Sequence, residues 1–135
     1  MPQKIELVCI IDDDRVYVNL VTKIIALRKL SKKIMIFKNG KEAIEFFRQQ
    51  AYDKKTNQRV PKIILLDLNM PIMDGWEFLT EYTQIKPKIE APINLFVVSS
   101  SINPQDINRA KAIDVVSDYI VKPINIGDFE RIFSN

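Results

Sequence analysis

Short apolar runs alternate with amphipathic stretches along the whole chain, and this alternation constrains the fold more than any other feature. After each run, apolar residues recur at helical spacing. Strict alternation of strands and helices predicts parallel strands joined by right-handed crossovers, and hence a three-layer α/β sandwich with helices on both faces. The runs are too short for helices, and they cover residues 5–11, 34–37, 63–66, 93–98 and 119–121.

The predicted helices are defined by apolar residues spaced three and four positions apart. Asn39 before Gly40 and Asn103 before Pro104 are the expected N-caps of the second and fourth helices. We expect residues 51–61 to form a polar loop. The residues that define the five helices are Val16, Leu20, Ile24 and Leu27; Ala43, Phe46 and Phe47; Gly75, Phe78, Leu79 and Tyr82; Ile107, Ala110 and Ile113; and Ile126, Phe129 and Phe133.

Length and composition bound the function. The 135 residues are the size of one domain, so we expect residues 1–135 to form a single domain with no second one. The sequence has no histidine, which excludes a Ser-His-Asp triad, a Cys-His dyad, imidazole-bound zinc and a role as a phosphohistidine carrier. The single cysteine, Cys9, lies in an apolar run, which predicts a buried, inert thiol in a reducing compartment.

Charge and the N-terminal sequence bear on location and partners. The first apolar run is too short and too acidic at its end for a signal peptide or a membrane span, so we expect a cytoplasmic protein without a membrane partner. The net charge is +3, and the basic residues are dispersed without interleaved aromatics. We therefore expect no nucleic-acid partner.

Polar residues follow the predicted strands at the points where they end. In open parallel α/β sheets, ligands bind beyond the carboxyl ends of the strands, so these residues are candidate site residues even though they are far apart in the chain. They are the aspartates 12–14 after the first strand, Asp67 after the third, the serines 99–101 after the fourth and Lys122 after the fifth.

These residue types favour phosphoryl chemistry on a metal site. One of the aspartates 12–14 is expected to cap a helix, but capping does not explain Asp67 on a neighbouring strand. Converging carboxylates need a cation between them, and such an oxygen-rich site suits Mg²⁺. The Asp67 carboxylate can attack phosphorus, with the Lys122 ammonium as counter-ion and a serine hydroxyl as hydrogen-bond donor. The alternatives are an ordinary solvated lysine, a polar serine loop and, at Tyr119, a plain strand aromatic.

The sequence resembles the receiver domains of two-component response regulators, including stand-alone chemotaxis-type receivers. Four motifs in order carry the resemblance, each at a predicted strand end, and the match covers nearly the whole chain. The resemblance implies a flavodoxin-like fold with strand order 2-1-3-4-5 and no output domain. The motifs are Ile11-Asp12-Asp13-Asp14, the segment 65–75 around Asp67, Val98-Ser99-Ser100-Ser101 and Tyr119-Ile120-Val121-Lys122-Pro123.

The resemblance also implies roles. Asp67 would accept a phosphoryl group from a partner histidine kinase or phosphotransfer protein. Asp13, Asp67 and the backbone carbonyl of Asn69 would bind Mg²⁺ directly, with Asp12 acting mainly through water. Lys122 would bridge Asp67 and the phosphoryl group.

The same resemblance implies a switch. Ser99 would be the hydroxyl switch and Tyr119 the aromatic residue that turns inward with it, while Asn69 and Ser101 would tune dephosphorylation. The Lys122–Pro123 peptide bond would be cis. The fourth helix, fifth strand and fifth helix would form the face read by a downstream protein, in a monomer or a phosphorylation-dependent dimer.

Three departures from the family pattern leave alternatives open. Ser100 lies 22 residues before Lys122, the spacing of common receivers, whereas Ser99 lies 23 before it. We prefer Ser99, because residues 114–116 look like a small insertion. The 51–61 loop is longer than usual, and the short last helix suggests a smaller partner face or one completed by dimerisation.

The predicted function is that of a phosphoacceptor switch, and not of an enzyme beyond self-phosphorylation from a donor and self-dephosphorylation. The first rival is an interaction module that works without phosphorylation. The second is a phosphohydrolase with an aspartate nucleophile. It is disfavoured because Asn69 stands where such enzymes carry a second carboxylate.

Overall fold

Five parallel strands form the centre of the structure, in the order β2-β1-β3-β4-β5. The computed structural model describes residues 5–53, 60–70 and 72–134. The strands are β1 (Ile5–Ile11), β2 (Ser31–Phe37), β3 (Ile63–Leu66), β4 (Asn94–Ser99) and β5 (Val116–Val121). The helices are α1 (Arg15–Leu27), α2 (Gly40–Tyr52), α3 (Gly75–Ile85), which runs into a 3-10 turn (Lys86–Lys88), α4 (Pro104–Lys111) and α5 (Ile126–Phe133). The predicted flavodoxin-like α/β fold and strand order are confirmed.

Helices cover both faces of the sheet. On one face, α2, α3 and α4 pack over alternate residues of the central strands, including Cys9, Ile11 and Leu66. On the other face, α1 and α5 pack over the intervening residues, including Ile10 and Leu65. Because the central strands are buried on both sides over most of their length, their sequences are nearly continuously apolar. Burial raises the pKa of the Cys9 thiol, which fits the predicted inert cysteine.

The strand register aligns the ends that carry the candidate site residues. Ile11 pairs with Leu66, and Leu66 pairs with Val97, so Asp12 and Asp67 leave adjacent strands side by side. The Asp67 amide donates a hydrogen bond to the Ile11 carbonyl at 2.9 Å. The carboxyl ends therefore form one edge of the sheet, as the sequence predicted.

The edge strands are longer than predicted. β2 begins at Ser31 rather than at residue 34, β5 begins at Val116 rather than at 119, and β4 lies one residue later than predicted. Within the described residues, β2 and β5 each pair with a strand on one side only, and both carry polar residues, as is usual for edge strands. A prediction from apolar runs alone therefore makes β2 and β5 too short.

The register of β5 is irregular just after residues 114–116, where the sequence analysis expects a small insertion. Val116 pairs with Leu95 and Asp118 with Phe96, so Ser117 has no partner of its own and forms an irregularity in the ladder. The predicted loop 51–61 also begins later, because Ala51 and Tyr52 belong to α2. Its residues 54–59 lie outside the described part of the chain.

The predicted apolar face of α1 is wrong. Val16 and Leu27 are about four-fifths exposed, at 80% and 82%, and Leu20 is also exposed. The side of the helix that packs against the sheet instead carries the buried residues Val18, Val21 and Ile25. α1 is apolar on two sides, so periodicity alone could not decide which one faces the sheet.

The helix caps follow the sequence. Asn39 and Asn103 cap α2 and α4 as predicted, with Pro104 at the first position of α4. Asp74 and Asn125 cap α3 and α5, each in a reciprocal capping box. In the described part of the chain, no helix is both long and apolar enough to cross a bilayer.

Candidate functional site

Three carboxylates meet at the carboxyl edge of the sheet. Asp12, Asp13 and Asp67 each offer an oxygen, and these oxygens all lie within 4.8 Å of one another. Asp12 and Asp67 are buried, with 4% and 7% of their surface exposed, whereas Asp13 is open to solvent. A cluster of this kind has buried inner ligands and one open side, which is the arrangement a hydrated divalent ion needs.

Asp14, the third aspartate of the run, has a different place. Its carboxylate accepts a hydrogen bond from the Tyr17 amide at 3.1 Å and caps α1. Its own amide donates to Asp12 Oδ1 at 3.0 Å, which helps to orient the buried carboxylate. The expectation that one of these aspartates caps a helix is confirmed.

Lys122 reaches the acidic cluster from β5. Its ammonium nitrogen lies 2.9 Å from Asp12 Oδ2 and 3.7 Å from Asp67 Oδ1, and the side chain is only 16% exposed. The Lys122 amide donates to the Ser99 carbonyl at 2.9 Å, which holds the residue at the end of the sheet. The following peptide bond to Pro123 is cis, as the resemblance implied. The Lys122 ammonium thus lies beside the two buried carboxylates of the cluster, those of Asp12 and Asp67.

The pKa of Asp67 is raised to about 6. Burial is the main cause, and the nearby charge of Asp12 adds to it. Lys122 and hydrogen bonds from the Leu68 and Asn69 backbone act in the opposite direction and lower the pKa. At neutral pH the carboxylate is therefore still mostly ionised, but it is more basic than a solvated aspartate.

The donor set fits Mg²⁺ better than a softer ion. All the ligating groups of the cluster are carboxylate oxygens, and the chain has no histidine. Asn69, the residue expected to offer a backbone carbonyl, is exposed, and its backbone makes a hydrogen bond to Asp67. Because Asn69 lies beside Asp67, its backbone carbonyl is in a suitable place to be a further oxygen ligand.

The serines after β4 have different environments. Ser99 is the last residue of β4 and is fully buried, whereas Ser100 is exposed. The Ser99 hydroxyl oxygen accepts a hydrogen bond from the Ser101 amide at 3.1 Å. Between the two candidates, Ser99 is therefore the one that is fixed in the sheet next to the site.

Tyr119 joins the same loop. It is buried, and its hydroxyl donates a hydrogen bond to the Ser101 carbonyl at 2.8 Å. The Ser101 hydroxyl in turn donates to Asp106 Oδ2 at 2.7 Å, in the first turn of α4. Ser101 is thus hydrogen-bonded to Ser99, to Tyr119 and to α4. A displacement of the loop at Ser101 would therefore change the contacts of all three.

Tyr17 lies at the site although the sequence analysis did not single it out. Its ring faces Lys122, with the ammonium nitrogen 4.3 Å from the ring centroid. An aromatic residue in the first turn after the aspartates is a weak signal for such a position. The contact itself joins residues 105 positions apart and depends on the direction of both side chains, which the sequence does not specify.

Comparison with known proteins agrees with this geometry. The family model described as response regulator receiver domain matches residues 8–133. The chain is 28% identical over 127 residues to the response regulator Rcp1 of Synechocystis, covering 94% of this chain and 83% of Rcp1.

Two solved structures are similar over almost the whole fold. A two-component response regulator from Cytophaga hutchinsonii is 30% identical, with a TM-score of 0.85 and coverage of 97% of this chain and 96% of that one. The structure of a phosphorylated cyanobacterial phytochrome response regulator, RcpA, is 29% identical, with a TM-score of 0.75 and coverage of 94% and 88%. With its fold, acidic cluster and family match together, this chain belongs to the response regulator receiver domains of two-component signalling.

Proposed function

We propose that this receiver domain accepts a phosphoryl group on Asp67 in a Mg²⁺-dependent reaction, and that the phosphorylated state changes which protein it binds. The observation that carries the proposal is the position of Asp67, whose carboxylate lies 3.7 Å from the Lys122 ammonium and beside the carboxylates of Asp12 and Asp13. A nucleophile, a counter-ion and a candidate metal site thus lie together.

The reaction is a direct transfer. An oxygen of the Asp67 carboxylate forms a bond to phosphorus while the bond between phosphorus and the donor histidine nitrogen breaks, and the electron pair of that bond stays on the nitrogen. Most of the Asp67 carboxylate is ionised at neutral pH even without a metal ion, so the form that attacks phosphorus is available. Lys122 is placed to balance the negative charge on the phosphoryl oxygens.

Asp12, Asp13 and Asp67 would hold Mg²⁺, with the Asn69 backbone carbonyl as a further ligand. Bound there, the ion supplies positive charge that offsets repulsion between the carboxylate and the incoming phosphoryl group. Asp13 is the exposed member of the cluster and leaves that side open to solvent and donor.

The output rests on the loop that follows β4. Ser99 would donate its hydroxyl hydrogen to a phosphoryl oxygen, and Tyr119 would move together with it. The hydrogen bonds from the Ser101 amide to Ser99 and from Tyr119 to Ser101 link both residues to α4. The surface formed by α4, β5 and α5 would then present a different face to a downstream partner.

The donor is a histidine kinase or a phosphotransfer protein. Because residues 1–135 contain no histidine, the phosphohistidine of the donor lies outside this sequence. The similarity to a response regulator whose structure is described as phosphorylated supports the acceptor role. We propose that the exchange takes place in the cytoplasm, with the chain as a monomer or as a phosphorylation-dependent dimer.

Incubation with acetyl phosphate and Mg²⁺ tests the proposal. We expect a mass gain of about 80 Da, the mass of one phosphoryl group in place of a proton, that needs Mg²⁺ and is lost in Asp67→Asn. Asp14→Asn keeps a capping side chain outside the acidic cluster and serves as the matched control.

Two outcomes would favour the rivals. Absence of the mass gain with every phosphodonor and metal would support an interaction module that works without phosphorylation. Multiple turnovers on small phosphate esters would support a phosphohydrolase, in which the aspartyl phosphate is an intermediate rather than a signal.

A further inference from the structure

We propose that Tyr17 is a positioning residue for Lys122, and that the face of its ring holds the ammonium group beside Asp12 and Asp67. This inference rests on the proposed function, because it concerns the counter-ion of the phosphoryl group. It adds a residue from α1 to a site otherwise formed by the ends of strands.

The ammonium of Lys122 has the ring on one side and carboxylates on another. Its nitrogen lies 4.3 Å from the centroid of the Tyr17 ring, well within the range of a cation–π contact. It lies 2.9 Å from Asp12 and 3.7 Å from Asp67. A lysine side chain has four rotatable bonds, so contacts from two directions restrict the ammonium more than one ion pair can.

Tyr17 is itself well fixed. Its amide donates a hydrogen bond to the capping carboxylate of Asp14, which sets the residue in the first turn of α1. Its hydroxyl is buried, and among the described residues it has no hydrogen-bond partner of ordinary geometry, although the backbone of Ile124 lies close enough to lower its pKa in part. The part of Tyr17 that contacts Lys122 is therefore the ring.

A neutral ring suits this task better than another carboxylate. A third close anion would bind Lys122 more firmly and would compete with the phosphoryl group for it. Burial, together with the charges of Asp12 and Asp67, raises the pKa of Tyr17, so its side chain stays uncharged at neutral pH. The ring thus restrains the ammonium without offering it a competing charge.

The test compares Tyr17→Phe, which keeps the ring, with Tyr17→Leu and Tyr17→Met, which do not. In the presence of Mg²⁺, we expect the variants without the ring to lose about 3- to 30-fold in affinity for fluoroberyllate and in the rate of phosphorylation by acetyl phosphate. Tyr17→Phe should stay within about twofold of the unsubstituted protein in both measurements. Val16→Ala, at an exposed neighbouring position, is the control for changes in α1.

Mg²⁺ affinity, measured by calorimetry, separates positioning from damage to the site. A less restrained Lys122 competes less for the carboxylates, so Mg²⁺ affinity should stay the same or rise when the ring is lost. A parallel loss of Mg²⁺ affinity would mean that Tyr17 merely supports the loop, and it would overturn the proposal. Equal behaviour of Tyr17→Phe and Tyr17→Leu would do the same.

An NMR measurement keeps this inference separate from the proposed function. The protons next to the Lys122 ammonium should have an upfield ring-current shift that persists in Tyr17→Phe and disappears in Tyr17→Leu, with the signal assigned by its absence in Lys122→Arg. If this shift is present but no variant is ever phosphorylated, the proposed function fails and the contact stands. If the shift is absent from the unsubstituted protein, the positioning role fails whatever the phosphorylation assay gives.

Discussion

The Lys122 ammonium forms a salt bridge of 2.9 Å with Asp12, and this contact spans the ends of β3 and β4, the two strands that lie between β1 and β5. The ammonium is thus closer to Asp12 than to Asp67, from which it lies 3.7 Å away. Asp67 therefore gains less from the positive charge than its neighbour does. The attraction of Lys122 offsets only part of the cost of burying the Asp67 carboxylate, so the pKa of Asp67 is raised to about 6.

This partial compensation predicts that Asp67→Asn stabilises the metal-free protein. The pKa of Asp67 is about 6 in the folded state and 3.8 as the reference value, so burying the ionised group opposes folding above pH 6, and the effect fades as the pH falls towards 4. At pH 7.5 in EDTA we expect the variant to be more stable by about 1–3 kcal/mol. Urea unfolding between pH 4 and 8 measures this difference.

Asp14→Asn is the control for this experiment, since Asp14 lies outside the cluster and caps α1. It should show no comparable gain at pH 7.5. With Mg²⁺ present, the unsubstituted protein should become more stable than Asp67→Asn. An ion that binds only the folded state stabilises it, and the variant lacks one of the carboxylate ligands. A stability difference independent of pH would contradict the explanation by burial.

The acidic cluster predicts unequal contributions of adjacent aspartates to metal binding. Asp13 belongs to the cluster and Asp14 does not, although both side chains are exposed and the two residues are adjacent at the start of α1. We expect Asp13→Asn to weaken Mg²⁺ binding about tenfold or more, because it removes a charged oxygen ligand. Asp14→Asn should change it by no more than about twofold.

Calorimetric titration with Mg²⁺ at low and at moderate salt checks this prediction. An exposed charge that acts only at a distance loses its effect when salt screens it, whereas a direct ligand does not. Equal losses in the two variants at moderate salt would argue against Asp13 as a ligand.

The two candidate switch hydroxyls can be separated by paired substitutions. Ser99 is buried and accepts the Ser101 amide, whereas Ser100 is exposed. Ser99→Ala should cost about 1–2 kcal/mol of stability by leaving that amide unpaired, and it should slow phosphorylation by acetyl phosphate. Ser100→Ala should leave both unchanged. Chemical unfolding and the phosphorylation time course measure the two effects, and a slower Ser100→Ala would transfer the switch role to Ser100.

The strand ends could be predicted from sequence because two signals coincide there. The buried central strands are nearly continuously apolar, so the polar residues after each apolar run mark its end, and parallel strands bring these ends to one edge. This reasoning places Asp12 and Asp67 correctly at strand ends, and it places Ser99 just after β4, of which Ser99 is in fact the last residue. Their distances from Lys122 could not be predicted, since they depend on the register and on the direction of the side chains.

The remaining differences arise where the apolar pattern is ambiguous. β2 and β5 are edge strands, and polar residues such as Ser117 interrupt their patterns. Tyr17 reached the site only through a contact between distant side chains. In each case the decisive information lies in tertiary packing and not in the local sequence.

Gly75 has a steric role next to the site. A Cβ atom at this position would lie 2.4 Å from the Asp67 carbonyl oxygen and 2.7 Å from the Leu68 Cα, both of which are backbone atoms. We expect Gly75→Ala to destabilise the fold by about 2 kcal/mol or more and to weaken Mg²⁺ binding, since the backbone after β3 must move. Thermal unfolding and Mg²⁺ titration measure the two effects.

Gly127→Ala is the matched control, because its nearest contact would be 3.3 Å from the side chain of Asn125. Its effect on stability should stay within about 1 kcal/mol, as the helix propensity of alanine offsets the tight contact. A Gly75→Ala variant as stable as Gly127→Ala would show that the backbone near Asp67 adjusts easily.

The corrected orientation of α1 predicts opposite results for two valines on the same helix. Val21 is 2% exposed and packs towards the sheet, whereas Val16 is 80% exposed. Val21→Ala should cost about 1–3 kcal/mol of stability, because it removes buried methyl groups and leaves a cavity. Val16→Ala should change stability by less than about 0.5 kcal/mol, since alanine is a good helix former and little buried surface is lost. Denaturant unfolding of both variants measures the difference, and a larger loss for Val16→Ala would restore the orientation inferred from the sequence.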